Sequence, residues 1–384
     1  MEHRASTPRV IQLIPYDFRQ VGGIEVHVRQ LCAALHSQLG DTRWVTATLA
    51  FRLAHRHWAM LEIPQCVAHS LASPTSTSLA GPLPRLSPFS VGRDDLLHIH
   101  GLARLPMLRL LSRVPTDVPV IFSPHGSFWS ELAGAAGGVS AARRLVDRWF
   151  APHFLSRCSA LLVASDAERA VMDALTASSQ HFVPLHVLPL PVSSGPTAAP
   201  AQPPHSDSRL LALGRQDRIK GFDLLATAVA NNPDLPACDI VGPPGNATRM
   251  LERLISRAPE GRIALRPPIR SDFAKHALLT QAAVVVVPSY FESYSLVARE
   301  AIVAGSRLVM SEAAAASLPP SVAQTFRTGD AADLAAQIRH VLRSPRSDTC
   351  VAARAHMLRD LPSYDDYAHS VLRVYQVATN ASRT

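Results

Sequence analysis

PSYFESYSLVAREAIVAGSRLVM, residues 288–310, follows directly on the run AVVVV at Ala283–Val287. An apolar run that short and β-branched reads as a buried parallel strand. The serine-bearing turn after it leads into an apolar-periodic segment that ends at Gly305, a helix C′ residue. Glu292 stands at the end of the strand and Glu300 eight residues later. If the chain between them is mostly helical, its rise separates the two carboxylates by roughly 12 Å. That span suits a ligand with a sugar at one end and a ribose at the other. Ser293 and Ser295 are candidate caps, and the amides beneath them would face an anion. The alternative is a strand–helix pair carrying two solvated glutamates.

The chain has 384 residues, enough for two domains with a core each. Its net charge is +8, and nearly all the positive charge is arginine: Lys220 and Lys275 are the only lysines. No basic block stands out, which argues against a nucleic-acid arm. Diffuse positive charge suits anionic substrates or an anionic lipid surface. Five scattered cysteines without a C-x-x-C form neither a disulfide framework nor a zinc site, and fit a reducing compartment. No h-region opens the sequence and no run reaches the roughly 20 apolar residues of a membrane span. The expected location is therefore cytoplasmic, with peripheral attachment to the inner face of the membrane as an extension of that reading.

Strand and helix patterns alternate along the chain. Val10–Ile14 reads as a strand, Gly22-Gly23 as a turn, and Ile24–Leu39 as a helix on which His27 and Arg29 fall at the surface. A strand, glycine turn and helix let backbone amides approach a phosphate or a sugar, although two glycines alone also make an ordinary tight turn. Arg43–Leu49 reads as the second strand and Ser70–Ser90 as an aperiodic loop. Leu96–Ile99 is the third, carrying His98 and His100 on one face. With no third ligand evident, those histidines are read as lining a site rather than holding a metal. Val118–Phe122 follows, then Ser123-Pro124-His125-Gly126; a neutral imidazole there can hydrogen-bond a hydroxyl or simply satisfy its own turn. Ala142–Arg157 mixes aromatics with arginines: either an amphipathic segment for an anionic membrane surface or a helix packed on its own sheet. Ser165 and Glu168 read as a capping box. His186–Leu190 closes the first domain, and Ser193–Ser208 has linker composition. Beyond it, Leu210–Leu213 is a strand followed by Gly214-Arg215-Gln216-Asp217-Arg218-Ile219-Lys220-Gly221. A guanidinium and an ammonium flanking a turn are what a departing diphosphate needs, since charge grows there as the bond breaks; solvated surface charges are the alternative. Arg307–Met310 reads as the last strand, and Tyr364–Ala378 as a closing helix.

Pro288–Gly305, with its E-x7-E spacing, Pro-Ser-Tyr-Phe-Glu lead-in and Ala-x-x-x-Gly tail, resembles the signature of glycosyltransferase family 4, the retaining nucleotide-sugar enzymes of the GT-B fold. Gly214–Gly221 resembles the family's Gly-Arg…Lys-Gly element, Gly22-Gly23 its Gly-Gly loop and Pro124-His125-Gly126 its Pro-His-Gly. One departure is Ser293-Tyr294-Ser295, where many members carry Gly-Phe-Gly. Another is Pro189-Leu190-Pro191, where many carry Pro-Asn-Gly. The resemblance implies an α/β fold of two Rossmann-like, doubly wound parallel-sheet domains facing across a cleft. The expected boundaries are 1–191, a linker at 192–208, a nucleotide-sugar domain at 209–362, and a C-terminal helix at 363–384 that crosses back to the first domain. It implies transfer of a glycosyl unit, with retention, from a UDP-, GDP- or ADP-sugar to a glycan or lipid-linked acceptor in surface-polysaccharide assembly, without metal or other cofactor.

In this reading His125 sits against the donor sugar, Arg215 and Lys220 stabilise the leaving diphosphate, and Glu292 fixes sugar hydroxyls. Donor binding falls to Gly22, Gly23, Ser293, Tyr294, Ser295 and Leu296, with Glu300 on the ribose and Ile269 beside the base. Three rivals stand beside it. They are a GT-B sugar-nucleotide epimerase, a catalytically silent scaffold, and a two-lobed sugar-binding protein that would need an export signal.

Overall fold

The computed structural model describes residues 9–14, 23–39, 43–52, 57–63, 91–101, 104–128, 149–177, 182–192, 208–269 and 271–382. The chain divides into two compact units. One takes the described residues up to 191 together with 362–382, and the other takes 192–361. The expected loop at Ser70–Ser90, the positions Gly22, Arg143, Arg144 and Arg148, and nearly all of the linker lie outside the described residues.

The first unit begins β1 (Arg9–Ile14), α1 (Gly23–Leu39), β2 (Arg43–Arg52), β3 (His57–Ile63), β4 (Leu96–His100), α2 (Arg104–Leu111) and β5 (Val120–Ser123). It continues β6 (Ala160–Val163), α3 (Asp166–Thr176) and β7 (Leu185–Val187). Its seven strands lie in the order β3-β2-β1-β4-β5-β6-β7. All neighbours are parallel except β2 and β3, an antiparallel edge pair that the strand–helix alternation did not suggest.

The second unit runs β8 (Leu210–Leu213), α4 (Phe222–Asn231), β9 (Cys238–Val241), α5 (Thr248–Ile255), β10 (Ile263–Arg266) and α6 (Asp272–Gln281). Then come β11 (Val284–Val287), α7 (Leu296–Val303), β12 (Leu308–Ser311), α8 (Glu312–Ala315), β13 (Gln324–Phe326), α9 (Ala331–Arg343) and α10 (Asp348–Asp360). Its sheet is wholly parallel in the order β10-β9-β8-β11-β12-β13, the doubly wound arrangement of a Rossmann fold. Residues 307–310 are therefore not the last strand. β13 pairs with β12 beyond them, and three residues, Gln-Thr-Phe, are too few to show a period.

Period-two alternation explains why the central strands read as unbroken apolar runs. Val284 and Val286 join one core with Leu210, Ala212 and helix residues Leu225 and Leu334. Val285 and Val287 join the other with Leu211, Met310 and helix residues Ala298 and Ile302. Helices cover both faces, so no strand position can be polar at low cost.

The first unit breaks that rule on one face. Ile11, Leu97, Ile99, Val120 and Phe122 point to an apolar core that also takes Phe150 and Phe154. These two aromatics belong to the helical stretch 149–155, so that part of Ala142–Arg157 packs on its own sheet through Phe150 and Phe154, while Trp149 is exposed. The alternate positions, Gln12, His98, His100 and Ser123, all fall on the opposite face and are all buried. Register aligns Gln12 with His98 and His100 with Ser123. The last helix, α11 (Tyr364–Ala381), starts from a Ser363–Asp366 capping box and packs against α1 in this unit, burying Tyr367, Val371, Val374 and Tyr375.

The sealed core of the second unit sets a stability prediction. Leu225→Ala removes a fully buried side chain and should destabilise that unit by about 2–5 kcal/mol, measured by urea denaturation of the full chain.

Candidate active site

In each unit the polar groups gather at the carboxyl ends of the two strands where the winding order reverses, β1 and β4 in the first, β8 and β11 in the second. In the second unit the chain leaves β8 through Gly214 and Arg215, forms a 3-10 turn over Arg218–Lys220, and enters α4. Gly221 makes that junction with φ 61°, and a Cβ there would collide with the Pro288 carbonyl oxygen at the end of β11. The Tyr290 amide also donates to the Ile219 carbonyl at 2.8 Å. The two loops are thus bolted together, which is why Lys220 and Glu292 meet.

Lys220 Nζ lies 2.8 Å from Glu292 Oε1, and Ser289 Oγ donates to the same oxygen at 2.6 Å. Ser289 is itself held through its carbonyl by the Ser311 hydroxyl. The second glutamate repeats the pattern: Lys275 of α6 lies 2.6 Å from Glu300 Oε1 and 3.4 Å from Asp272. Burial pushes the Glu300 carboxyl up, and Lys275 draws it back. Burial also opposes the charge of Lys275, but Glu300 and Asp272 outweigh it and hold the ammonium above its usual range. Both pairs are partly buried, so removing one member costs less than the ~3–5 kcal/mol of a fully buried pair. The only two lysines of the chain thus each neutralise one member of the E-x7-E pair. Lys275 and Ser289, which hold the two glutamates, were missed by sequence reasoning, although the scarcity of lysine was a signal.

The remaining predicted donor residues spread between them. Arg215 makes a 3.7 Å ion pair with Asp217 on the same turn. Ser295 stands at the N-cap position of α7 in a left-handed conformation, φ 52°, but its hydroxyl makes no capping bond: it is buried and without a partner among the described residues. Ser293 and Leu296 are half-buried on either side of it. Tyr294 is not presented outward: it is buried beneath the Arg299 guanidinium, 3.4 Å from ring centroid to Cζ, while Arg299 Nη2 donates to the Ser317 carbonyl. Ile269 packs at the margin of the core.

In the first unit Gly23 opens α1, and His125 sits after β5 with φ 47°, followed by Gly126 at 77°. A non-glycine residue in that region is strained and persists only where neighbours hold it. Glu168 holds it: one carboxylate oxygen accepts the Gly126 amide at 2.6 Å, the other the Ala164 amide at 2.9 Å. The capping box is accordingly only half formed. Ser165 accepts from the Glu168 amide, but the Glu168 side chain is spent on the histidine turn. His27 is not at the surface; it is 1% exposed, beside His125 at 5.6 Å between ring centroids, with neither ring nitrogen paired among the described residues.

His27, His98 and His100 are held well below their usual pKa by burial first; His125 adds the next push on His27 and His98, and His98 does so on His100, while burial lowers His125 itself to about 4. Among the described residues no group of three or more His, Cys, Asp or Glu side chains is arranged to hold a metal.

Buried neutral histidines tie stability to pH. The unfolded chain binds protons below about pH 6.5 while the folded chain does not, so their contribution is complete above that value and drains away as pH falls toward 4. Each such histidine adds a slope of up to about 1.4 kcal/mol per pH unit. His27→Phe removes one without breaking a hydrogen bond, and should raise the melting temperature and flatten its fall between pH 7 and 5.

Comparison with known proteins follows the same lines. Residues 21–194 match Glycosyltransferase Family 4, and residues 163–379 match Family 4 Glycosyltransferase in conflict systems. The D-inositol 3-phosphate glycosyltransferase of Mycobacterium sp. (strain KMS) is 35% identical over 115 residues, 29% of this chain. The match spans about a quarter of that relative's length, 25%. Among solved structures, sucrose-phosphate synthase from Thermosynechococcus elongatus superposes with a TM-score of 0.66 at 20% identity, covering 97% of this chain and 100% of that one. Anabaena Alr3699/HepE, solved with UDP and glucose, gives 0.65 at 13% identity, covering 96% and 99%. At such identities these likenesses speak to the fold, and the fold is GT-B. With the two family matches reaching from residue 21 to residue 379, this chain belongs to glycosyltransferase family 4.

Proposed function

We propose that this protein transfers a glycosyl unit, with retention, from a nucleoside-diphosphate sugar to a hydroxyl acceptor. The observation that carries the reading is the pairing of each glutamate of one loop and helix with one lysine, Glu292 with Lys220 and Glu300 with Lys275. An ammonium has three donors, so Lys220 can keep Glu292 and still offer N–H groups to phosphate oxygens. Glu292, bound through Oε1, keeps its other oxygen for a sugar hydroxyl; Glu300, anchored by Lys275, does the same for the ribose. Negative charge grows on the diphosphate as the glycosidic bond breaks. Arg215, Lys220 and the first amides of α7 meet it, so cations of the chain itself supply the neutralisation. His125 hydrogen-bonds a sugar hydroxyl.

The nucleotide is UDP in this reading, supported by the HepE structure with UDP and glucose and by a UDP-forming trehalose-phosphate synthase from Burkholderia vietnamiensis of like fold (TM-score 0.59). A glycan or lipid-linked acceptor at the cytoplasmic face of a membrane fits the diffuse net charge of +8.

UDP binding and turnover test this. UDP at 100 times its Kd should stabilise the protein by about 2.7 kcal/mol, visible as a thermal shift. With UDP-glucose as donor, Lys220→Met should lower kcat by about a hundredfold or more with a smaller change in KM. Glu300→Gln should weaken UDP binding chiefly. Conversion of UDP-glucose to an epimer without acceptor would favour the epimerase instead, and no shift with any nucleotide would favour the scaffold.

A further inference from the structure

The polar face of the first sheet carries a continuous line of hydrogen bonds. His125 Nε2 lies 3.1 Å from His100 Nδ1, and His100 Nε2 lies 2.7 Å from Gln12 Oε1. Gln12 Nε2 donates to the Tyr375 hydroxyl at 2.9 Å, that hydroxyl lies 2.6 Å from His98 Nδ1, and His98 Nε2 lies 2.8 Å from Ser123 Oγ. Gln12, His98 and His100 are fully buried and Tyr375 nearly so.

Because each neutral imidazole has one donor and one acceptor, the bonds cannot be oriented independently. Gln12 turns its carbonyl oxygen to His100, so His100 Nε2 must carry a proton and its Nδ1 must accept. The donor to that Nδ1 is then His125 Nε2–H. On the other side the Gln12 amide nitrogen gives a proton to Tyr375, whose own O–H goes to His98 Nδ1, and His98 Nε2–H goes to Ser123. A half-turn of the Gln12 amide would reverse all five bonds together, so one side chain sets the direction for three histidines. The other partner of that amide is the hydroxyl of Tyr375, on the C-terminal helix, which can accept from the amide nitrogen or donate to the amide oxygen and so joins the two halves of the line into one unit.

We propose that Tyr375 is a positioning residue for His125. Acting through Gln12 and His100, it ties the tautomer of that imidazole to those of His98 and His100, and in the orientation seen the proton sits on Nε2 and leaves Nδ1 as an acceptor for a substrate hydroxyl. Nδ1 has no partner among the described residues and, unlike the two nitrogens of His27, is not sealed. Glu168 fixes the backbone of His125 and this line ties its ring to two other histidines, so the place of one acceptor atom is fixed and its polarity is set jointly with theirs. The inference rests on the reading of His125 as a substrate-contacting group.

The test uses full-length protein with isotope-labelled histidine and two-bond proton–nitrogen spectra, assigned by single histidine replacements. In the unaltered protein His98, His100 and His125 should each be single Nε2–H tautomers. Tyr375→Phe keeps the ring and removes the hydroxyl; it should turn His98 and His125 into tautomer mixtures. UDP release from UDP-glucose should then fall about tenfold in kcat at unchanged KM, the order of one neutral hydrogen bond. Gln12→Met, which cuts the line at another point, should mix the His125 tautomers in the same way should Tyr375→Phe fold poorly. A proton on Nδ1 of His125, or spectra untouched by both replacements, would overturn the proton line itself. Undiminished UDP release by His125→Ala would overturn the proposal through the role of His125, with the spectra still showing the line intact.

Discussion

Parallel strands all end at the same edge of their sheet, and where the winding order reverses no helix can cross that edge. The constraint acts twice in this chain and places nearly everything else. In the second unit it brings the end of β8, with Arg215 and the turn to Lys220, beside the end of β11, with Ser289 and Glu292. In the first it aligns Gln12 of β1 with His98 of β4 and leaves His125 to follow β5. Neither set of side chains is held by a loop folding on itself; each is held by the register of a sheet whose faces are sealed.

The two units solve the problem of buried polarity in opposite ways. The second pairs full charges, lysine against glutamate, and keeps its two central strands, β8 and β11, apolar. The first places neutral amide, imidazole and hydroxyl groups in mid-sheet and satisfies them with one another. A line of neutral groups avoids the desolvation of ions, but it tolerates no missing member, since an unpaired buried donor costs about 1–3 kcal/mol. His27 bears such a cost, both its nitrogens being unpaired among the described residues.

What was legible in the sequence was local. Glu292 and Glu300 stand on one strand–turn–helix, Arg215 and Lys220 flank one turn, and β-branched runs marked the central strands, so period and spacing sufficed. The partner of Glu300 was not legible, because Lys275 reaches it from another helix. The histidine line was less so. His98 and Tyr375 are separated by 277 positions and Gln12 and Tyr375 by 363, and only strand register and the return of α11 bring them together. His27 read as a surface residue because helical spacing shows which residues share a face, not what covers it. The capping-box pattern at Ser165 misled for a related reason: Glu168 had a second, non-local claim on its carboxylate in the Gly126 amide.

Arginine does the structural work elsewhere that lysine does in many proteins. Arg262 gathers the carbonyls of residues 229, 232 and 235, Arg307 those of 341 and 342, and Arg354 those of 306 and 322. This leaves the chain with just two side-chain amines, each lodged on a different carboxylate. Apart from the α-amino group, amine-selective labelling therefore reports on two points alone, and its kinetics there follow the occupancy of two ion pairs without any engineered probe.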